Sequence, residues 1–325
     1  LRSTRRPGIR ELLKISKVDL ERDISVTQVV FHVAPRINAA GRLGDANRSV
    51  ELLTTRDTGI AIELAKELDE ENLSRRAIQQ GVVDEALFMV NSQVELEKDR
   101  AIVLGSRGWH QGVVGIAASK IKEEFNRPTI IISFDEEGNG KGSARPIRGL
   151  DLYAALSASS EHLLNYGGHA MAAGLAIHES KLNEFRKVFL SYAESTLSEN
   201  DLEPKLYLDT EINILDLNSR FMDFMKKLGP FGPGNMRPKF AVMRADVVGN
   251  PKIIGNGDHI RFRIKQKHSV IDVIGFGLAN YYQDLIMGEP VDIACVVETN
   301  VWKGRESTQL NARDIRLSSS SRVLL

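Results

Sequence analysis

The sequence predicts an α/β protein in three parts: a mixed layer domain of strands and helices, a long helix leading into it, and a small β-barrel following it. Three observations carry this prediction. From Asp45 to about Val90 no proline interrupts a run of apolar residues at helical spacing. From Ala101 to Leu197 short β-branched runs alternate with helical ones, and beyond Pro204 the chain turns into a succession of short strands. At 325 residues the chain exceeds the length over which one core keeps growing, so two or three domains are expected.

Residues 1–45 contain Pro7-Gly8, an apolar-spaced segment from Ile9 to Ile15, a charged turn and the β-branched run Val26 to Val33, and they read as the end of a domain. Residues 46–91 form the connecting helix, with Val50, Leu53, Ile60, Leu64, Leu68, Ile78, Val82 and Leu87 as its apolar positions. It is one helix or two joined near Gly59 or Gly81, and reaches roughly 65 to 70 Å at 1.5 Å per residue. In residues 92–199 the expected order is strand Ala101–Leu104, loop Gly105–Gly112, helix Val113–Phe125, strand Thr129–Ser133, and a turn at Glu136–Gly140. A third strand carrying Ser143 and Arg145, helix Leu150–Leu164, strand Ala172–Ile177 and helix Leu182–Leu197 complete this layer domain. Residues 200–325 hold a short helix around Met222–Leu228 and a Gly/Pro-rich turn at Gly229–Asn235. Strands follow at Phe240–Val248, His259–Lys265, Ser269–Gly275, Val291–Thr299 and Thr308–Ile315, with one helix at Leu278–Met287. Several short strands with a single inserted helix suit an OB-like barrel, a frequent binder of single strands.

Lys plus Arg and Asp plus Glu both number 43, so net charge gives no sign of a nucleic-acid partner. Distribution does: between Asn235 and Val270 eight basic residues face two acidic ones, and Arg261, Arg263 and Lys265 alternate along one predicted strand. Such a local field is what phosphate-backbone binding needs, although a solvated sheet face has the same composition. The single cysteine, Cys295, excludes an intrachain disulfide framework and suits a reducing cytoplasm. No apolar stretch approaches a membrane span, and no signal peptide is recognisable.

The chemistry concentrates in two stretches, Gly142-Ser-Ala-Arg-Pro146 and Tyr166-Gly-Gly-His-Ala-Met-Ala-Ala-Gly174. Glycines at Gly167 and Gly168 let backbone N–H groups approach an anion, Arg145 can fork onto two phosphate oxygens, and Ser143 and His169 can donate to the same group. Together they form a phosphate clamp placed in loops at strand ends; the alternative is a tight turn with His169 bonded to a carbonyl.

With Ala34-Pro-Arg-Ile-Asn-Ala-Ala-Gly-Arg-Leu-Gly44 and Gly229-Pro-Phe-Gly-Pro-Gly-Asn235, these stretches resemble the RecJ family of single-strand-specific 5′ to 3′ DNA exonucleases, within the DHH phosphoesterase superfamily. The resemblance implies that residues 1–45 end a DHH domain, 46–91 are a linking helix, 92–199 a DHH-associated substrate-binding domain and 200–325 an OB-like nucleic-acid-binding domain. It implies single-stranded DNA as substrate, a role in DNA repair and recombination, and a single-strand-binding protein as a possible partner. It also implies Mn2+ or Mg2+ held by an Asp-His-His-bearing domain. No Asp-His-His occurs in this sequence, no two histidines are adjacent, and His178-Glu179 lacks the second histidine of a zinc-protease helix. The chain is therefore expected to be a fragment without metal ligands and inactive alone; Asp135, Glu136 and Glu137 form its densest acidic run near the clamp and read as a solvated turn. Metal-assisted attack of water on a phosphodiester is the implied reaction, with Arg145 and His169 at the reacting phosphate and Ser143 beside them. Two alternatives stay open: a DHH-type oligoribonuclease or nucleotide phosphatase, which normally stops after the Gly-Gly-His segment, and a non-catalytic single-strand-binding module.

Further candidates lie near the linking helix. Arg36, Asn38 and Arg42 crowd a glycine-containing stretch and either hold the terminal phosphate of a threaded strand or fasten the domain end to the helix. Trp109 and His110 either contact a nucleotide or, for Trp109, cover a core edge. His162 reads as structural, His259 and His268 as surface residues, and Trp302 with Lys303 and Arg305 as a secondary base platform.

Overall fold

Proline at the start of a helix sacrifices no hydrogen bond, and Pro7 opens α1 (Pro7–Ile15) in this computed structural model. The structure describes residues 1–319 except 2, 22, 23, 233, 303 and 304, together with all but the side chain of Trp302. Ser25 and Gln28 form a capping box on α2 (Val26–Gln28), which passes through a π-helical turn, Val29–Val33, into α3 (Ala34–Leu43). The β-branched composition of Val26–Val33 is thus overridden by context, and the Arg36–Arg42 stretch lies within α3. The connecting element is two helices, α4 (Asn47–Thr54) and α5 (Thr58–Gln93), broken just before Gly59. Asp57 sets the break by accepting the Ile60 N–H at 3.0 Å, an N-cap that starts a new helix. Gly81 lies inside α5 without interrupting it, and the 36 residues of α5 reach about 54 Å.

One face of α5 is buried along its length but changes character. Ala61, Leu64, Ala65 and Leu68 join Leu12, Leu13, Ala40 and Leu52 in one core. Val82, Val83, Ala86 and Val90 join a second core with helix α6 (Gln111–Phe125) and strand β1 (Ile102–Arg107). Between the two apolar stretches the buried residues are Asn72, Arg75 and Gln79.

The second core covers one side of a five-stranded sheet formed by β1, β2 (Thr129–Phe134), β3 (Asn139–Arg145), β4 (Asn165–His169) and β5 (Ala172–His178), in the order β1-β2-β3-β5-β4. Only β1 and β2 run parallel. The opposite side packs on α7 (Leu152–Ala158) and α8 (Leu182–Thr196) through Ile130, Ile132, Ala144, Leu156, Phe185 and Phe189. The helix expected over Leu150–Leu164 is shortened to α7 and a 3-10 turn, because β4 follows directly. Gly167, Gly168 and His169 are therefore not loop residues but the edge strand of a hairpin with β5. Gly168 has φ +144°, and a Cβ there would run into the Ala173 backbone, so only glycine serves. A short α9 (Glu199–Leu202) ends this unit, Leu1–Pro204.

The second unit, Lys205–Leu325, is a barrel. A short β6 (Thr210–Glu211) and α10 (Ser219–Lys227) precede β7 (Phe240–Ile254), β8 (His259–Gln266) and β9 (Ser269–Gly275); α11 (Tyr282–Ile286) leads to β10 (Val291–Trp302) and β11 (Arg305–Leu317). The neighbours run β7-β8-β9-β11-β10, and β10 closes on β7. β9 and β11 pair in parallel while the other barrel pairs are antiparallel, which gives a closed, OB-like five-stranded barrel. Alternation along β8 buries Ile260, Phe262 and Ile264 and turns Arg261, Arg263 and Lys265 outward.

Barrel closure is locked by Asp292, 3% exposed at the start of β10. Its Oδ1 accepts from the Arg244 N–H (2.9 Å) and the Ser318 hydroxyl (2.6 Å), and its Oδ2 accepts from Arg316 Nε (3.0 Å) and Nη2 (2.8 Å). Burial pushes the carboxyl upward, but these bonds and the Arg316 charge outweigh it and hold Asp292 below the usual carboxylate range. The stabilisation is therefore present above the unfolded value of about 3.9 and is lost as pH falls through the depressed folded value. Asp292→Ala should cost about 3 kcal/mol or more at neutral pH. Melting curves from pH 7 downward should show the parent–variant gap narrowing only below about pH 4; a gap independent of pH would contradict this role. Cys295, fully buried in the same barrel, has its thiol pushed up to about 12 by desolvation, which leaves it inert to thiol reagents in the folded state.

Candidate functional site

Where the polar middle of α5 meets the C-terminus of α3, the N-terminus of α6 and strand β3, the side chains are mostly cationic. Ser143 and Arg145 stand two apart on β3, on the face opposite Ala144, and so point towards α6. Arg145 Nε donates to Ser119 Oγ of α6 at 3.1 Å, and its Nη1 donates to Ser143 Oγ (2.9 Å) and the Ala144 carbonyl (2.8 Å). Among the described residues Nη2 has no hydrogen-bond partner, and it is not sealed from solvent. Gly115 permits this approach: a Cβ there would lie 3.0 Å from Arg145 Nη2 and 3.1 Å from Ser143 Oγ. Burial, then the nearby Arg42 charge, lowers the Arg145 pKa from its ordinary value.

Arg42 comes from the last turn of α3, exposed, with Nη1 donating to the Gly112 carbonyl at 3.1 Å. Asn38 lies one helical turn earlier, also exposed. His110 caps α6: its Nδ1 accepts the Gly112 N–H at 3.0 Å, so in the neutral ring the proton sits on an outward Nε2. His169, exposed at the end of β4, is arranged alike, with Nδ1 accepting the Met171 N–H at 3.3 Å. Across the sheet Ser143 is in register with Gly174, and Gly174 with Gly167. The sheet beside Ser143 therefore carries two glycines and no side chain, an exposed backbone floor on which a Cβ of Gly167 would touch nothing.

Three residues that the sequence did not single out belong to this place. Arg75 is buried, with Nη1 donating to Gln79 Oε1 (2.7 Å) and Nη2 to Asn72 Oδ1 (3.1 Å), while its Nε and Asn72 Nδ2 have no partner among the described residues. Burial, then Arg76 and Arg42, lowers the Arg75 pKa. Among the described residues no carboxylate lies within ion-pair distance of Arg42, Arg75 or Arg145. A partly buried set of guanidiniums paired only with neutral amides and hydroxyls, beside a helix N-terminus, is arranged to receive an anion.

Other expected residues do different work. Arg36 Nε pairs with Asp69 at 2.7 Å and its Nη groups donate to the His32 and Ile15 carbonyls, so it fastens α3 to α5 and α1. Trp109 is not a base platform: it is buried in the core under α5, with Nε1 donating to Glu85 at 2.7 Å. Asp135 accepts the Asn139 N–H at 2.7 Å as a turn residue, and no group of three or more His, Cys, Asp or Glu able to hold a metal occurs among the described residues. His162 is half-buried beside Glu161, His259 stacks edge-on against Phe276, and the Trp302 side chain and Lys303 lie outside the described residues. No described helix is long and apolar enough to cross a membrane.

Two family models match the chain, one described as the DHHA1 domain over residues 98–195 and one as the RecJ OB domain over residues 208–314. The single-stranded-DNA-specific exonuclease RecJ of Bacillus subtilis (strain 168) is 36% identical over 319 residues, covering 98% of this chain and 40% of its own length. The chain belongs to the RecJ family. The RecJ of Haemophilus influenzae is 33% identical over 318 residues, 94% of this chain and 54% of that protein, so the chain spans about half the length of the curated RecJ relatives it matches. A crystal structure of RecJ from Thermus thermophilus in complex with Mg2+ superposes with a TM-score of 0.82 at 29% identity, over 97% of this chain and 47% of that one. A second structure of the Thermus RecJ, in complex with Mn2+, also gives 0.82. The RecJ OB match falls on the closed barrel, and the DHHA1 match on the sheet that carries Ser143, Arg145 and His169.

Because like charges meet here without a counterion, polyvalent anions should stabilise the fold. Sulfate or inorganic phosphate, at constant ionic strength and ten times its dissociation constant, should raise Tm by about 3–6 °C. Arg145→Ala should remove most of that rise. Equal shifts in chloride, or an undiminished rise in the variant, would contradict an anion site.

Proposed function

We propose that this chain holds the 5′-phosphorylated end of single-stranded DNA for a RecJ-type exonuclease that hydrolyses phosphodiester bonds. The observation that carries the reading is the set of guanidiniums without carboxylates among the described residues, Arg42, Arg75 and Arg145, of which Arg145 is bonded to Ser143 beside the glycine floor of Gly167 and Gly174. Arg145 Nη2, the Ser143 hydroxyl and Nε2–H of His169 would bind non-bridging phosphate oxygens. Arg42, Asn38 and Nε2–H of His110 would bind the neighbouring phosphate from the α3 and α6 side. Fixed donors of this kind orient a phosphodiester and favour charge developing on it.

The relatives crystallised with Mg2+ or Mn2+ make a divalent ion part of this reading. The residues of this chain do not fit one: the donor set of Arg42, Arg75 and Arg145 is cationic and would repel it. We therefore assign the ion to the part of the relatives that this chain does not span, and derive no step through it. On the same reading residues 1–45 close a DHH domain, 46–91 link it, 92–199 hold the terminal phosphate and 200–325 guide the strand. The partners are single-stranded DNA and the single-strand-binding protein that coats it, and the compartment is the cytoplasm. The RecJ OB match over 208–314 speaks against an oligoribonuclease that stops after the Gly-Gly-His segment.

Two measurements test this. In fluorescence anisotropy the chain should bind a 5′-phosphorylated oligonucleotide at least tenfold more tightly than its 5′-hydroxyl counterpart, and Arg145→Ala should abolish the preference, since a charge-assisted bond contributes about 1.5–3 kcal/mol. Equal affinity for both ends in the parent would remove the terminal phosphate from this site. Changing Arg261, Arg263 and Lys265 to Ala should flatten the salt dependence of binding, by about 0.7 in slope for each phosphate that is no longer neutralised. An unchanged slope would take β8 out of the strand's path.

A further inference from the structure

Helix α10 turns Met225 fully, and Phe221 and Met222 partly, into the barrel core, yet leaves Phe224 54% and Leu228 53% exposed one turn apart on its outer face. Asn235 is tied to the C-terminal end of α10, its Nδ2 donating to the carbonyls of Leu228 (2.9 Å) and Pro230 (3.0 Å). Met236, the next residue, is 70% exposed. Three exposed apolar side chains thus lie on and just after α10, with Asn235, the neighbour of Met236, tied by its side chain to the Leu228 carbonyl.

Their surroundings are predominantly basic. From Ser219 to Lys239 the chain has five basic residues, Arg220, Lys226, Lys227, Arg237 and Lys239, and one acidic residue, Asp223. None of the five makes an ion pair among the described residues. Arg220 and Lys227 each lie 5.8 Å from the centre of the Phe224 ring, and Arg237 lies 4.9 Å from that of Phe231. Strand β8 ends beside the segment that leads into α10, where Gln266 Oε1 accepts the N–H of Ile214. Polyanions with flat apolar groups match both features, and in nucleic acids only unpaired strands offer the faces of their bases.

We propose that Phe224, with Leu228 and Met236, is a second contact for single-stranded nucleic acid, off the barrel strands, on which bases rest while Arg220, Lys227 and Arg237 hold the flanking phosphates. The proposal rests on the strand-guiding role given above to residues 200–325, and the test separates the two. Binding of an oligothymidylate and of an abasic strand of equal length is measured for the chain, for Phe224→Ala, for Phe224→Trp and for the Arg261/Arg263/Lys265 triple variant. Phe224→Ala should weaken oligothymidylate binding roughly 5- to 150-fold, leave the salt slope unchanged and leave abasic binding unchanged, while Phe224→Trp restores affinity. A Phe224→Ala chain, folded by its melting temperature, that binds both strands as the parent does overturns the proposal, whether these side chains then prove to take an acidic peptide or a second copy of the chain. If the triple variant still loses affinity in that case, the guiding role of the barrel stands. If neither variant loses affinity, both fall.

Discussion

Helix α5 serves two cores, and the way it does so sets the rest of the first unit. Its N-terminal half is apolar towards α1 and α3 and its C-terminal half towards α6 and β1, so neither core can shift without the other. At the changeover the helix must bury something, and it buries Asn72, Arg75 and Gln79. A buried guanidinium bonded only to neutral amides is unfavourable unless an anion can reach its field. The other arginines at the changeover, Arg42 and Arg145, add charge of the same sign, so the junction between the two cores is electrostatically incomplete by construction.

Strand β3 and the hairpin β4–β5 turn that incompleteness into a shaped site. Alternation places Ser143 and Arg145 on the α6 side, and the in-register glycines Gly174 and Gly167 keep the adjacent floor bare. In the barrel unit the corresponding constraint is Asp292, which ties β10, β7 and β11 together and holds closed the sheet on which β8 displays its basic stripe. Both units therefore present positive charge from regular elements, helices and β3 in the first and β8 in the second, and a positively charged groove of this kind is what non-specific binders of single strands use.

Much of this is legible in the sequence where the periodicity is clean. The β8 alternation, the β-branched core of β2 and the order of the main barrel strands follow from side-chain spacing, and Ser143, Arg145 and His169 stand out because nothing in packing calls for them. Gly167 and Gly168 cannot be placed in a strand from sequence because glycines carry no alternation; only pairing with β5 makes them one. Arg75 escapes notice because a polar residue in a charged helix reads as solvent-facing, and its burial depends on α3 and α6 closing over it. Trp109 goes the other way, since Glu85 on α5, the partner that draws it inside, is 24 residues distant. The break between α4 and α5 is open to prediction at Gly59, but its cause is the Asp57 cap rather than the glycine.

The junction of α3, α5, α6 and β3 is thus built to receive a phosphate. The most direct measurement is a crystal structure of the chain with a short 5′-phosphorylated deoxythymidine oligonucleotide. The account predicts the terminal phosphate within hydrogen-bond distance of Arg145 Nη2 and Ser143 Oγ, with Arg42 turned towards it and the strand lying over Gly167 and Gly174. Well-defined nucleotide density elsewhere, with Arg145 still bonded only to Ser119, Ser143 and the Ala144 carbonyl, would contradict it.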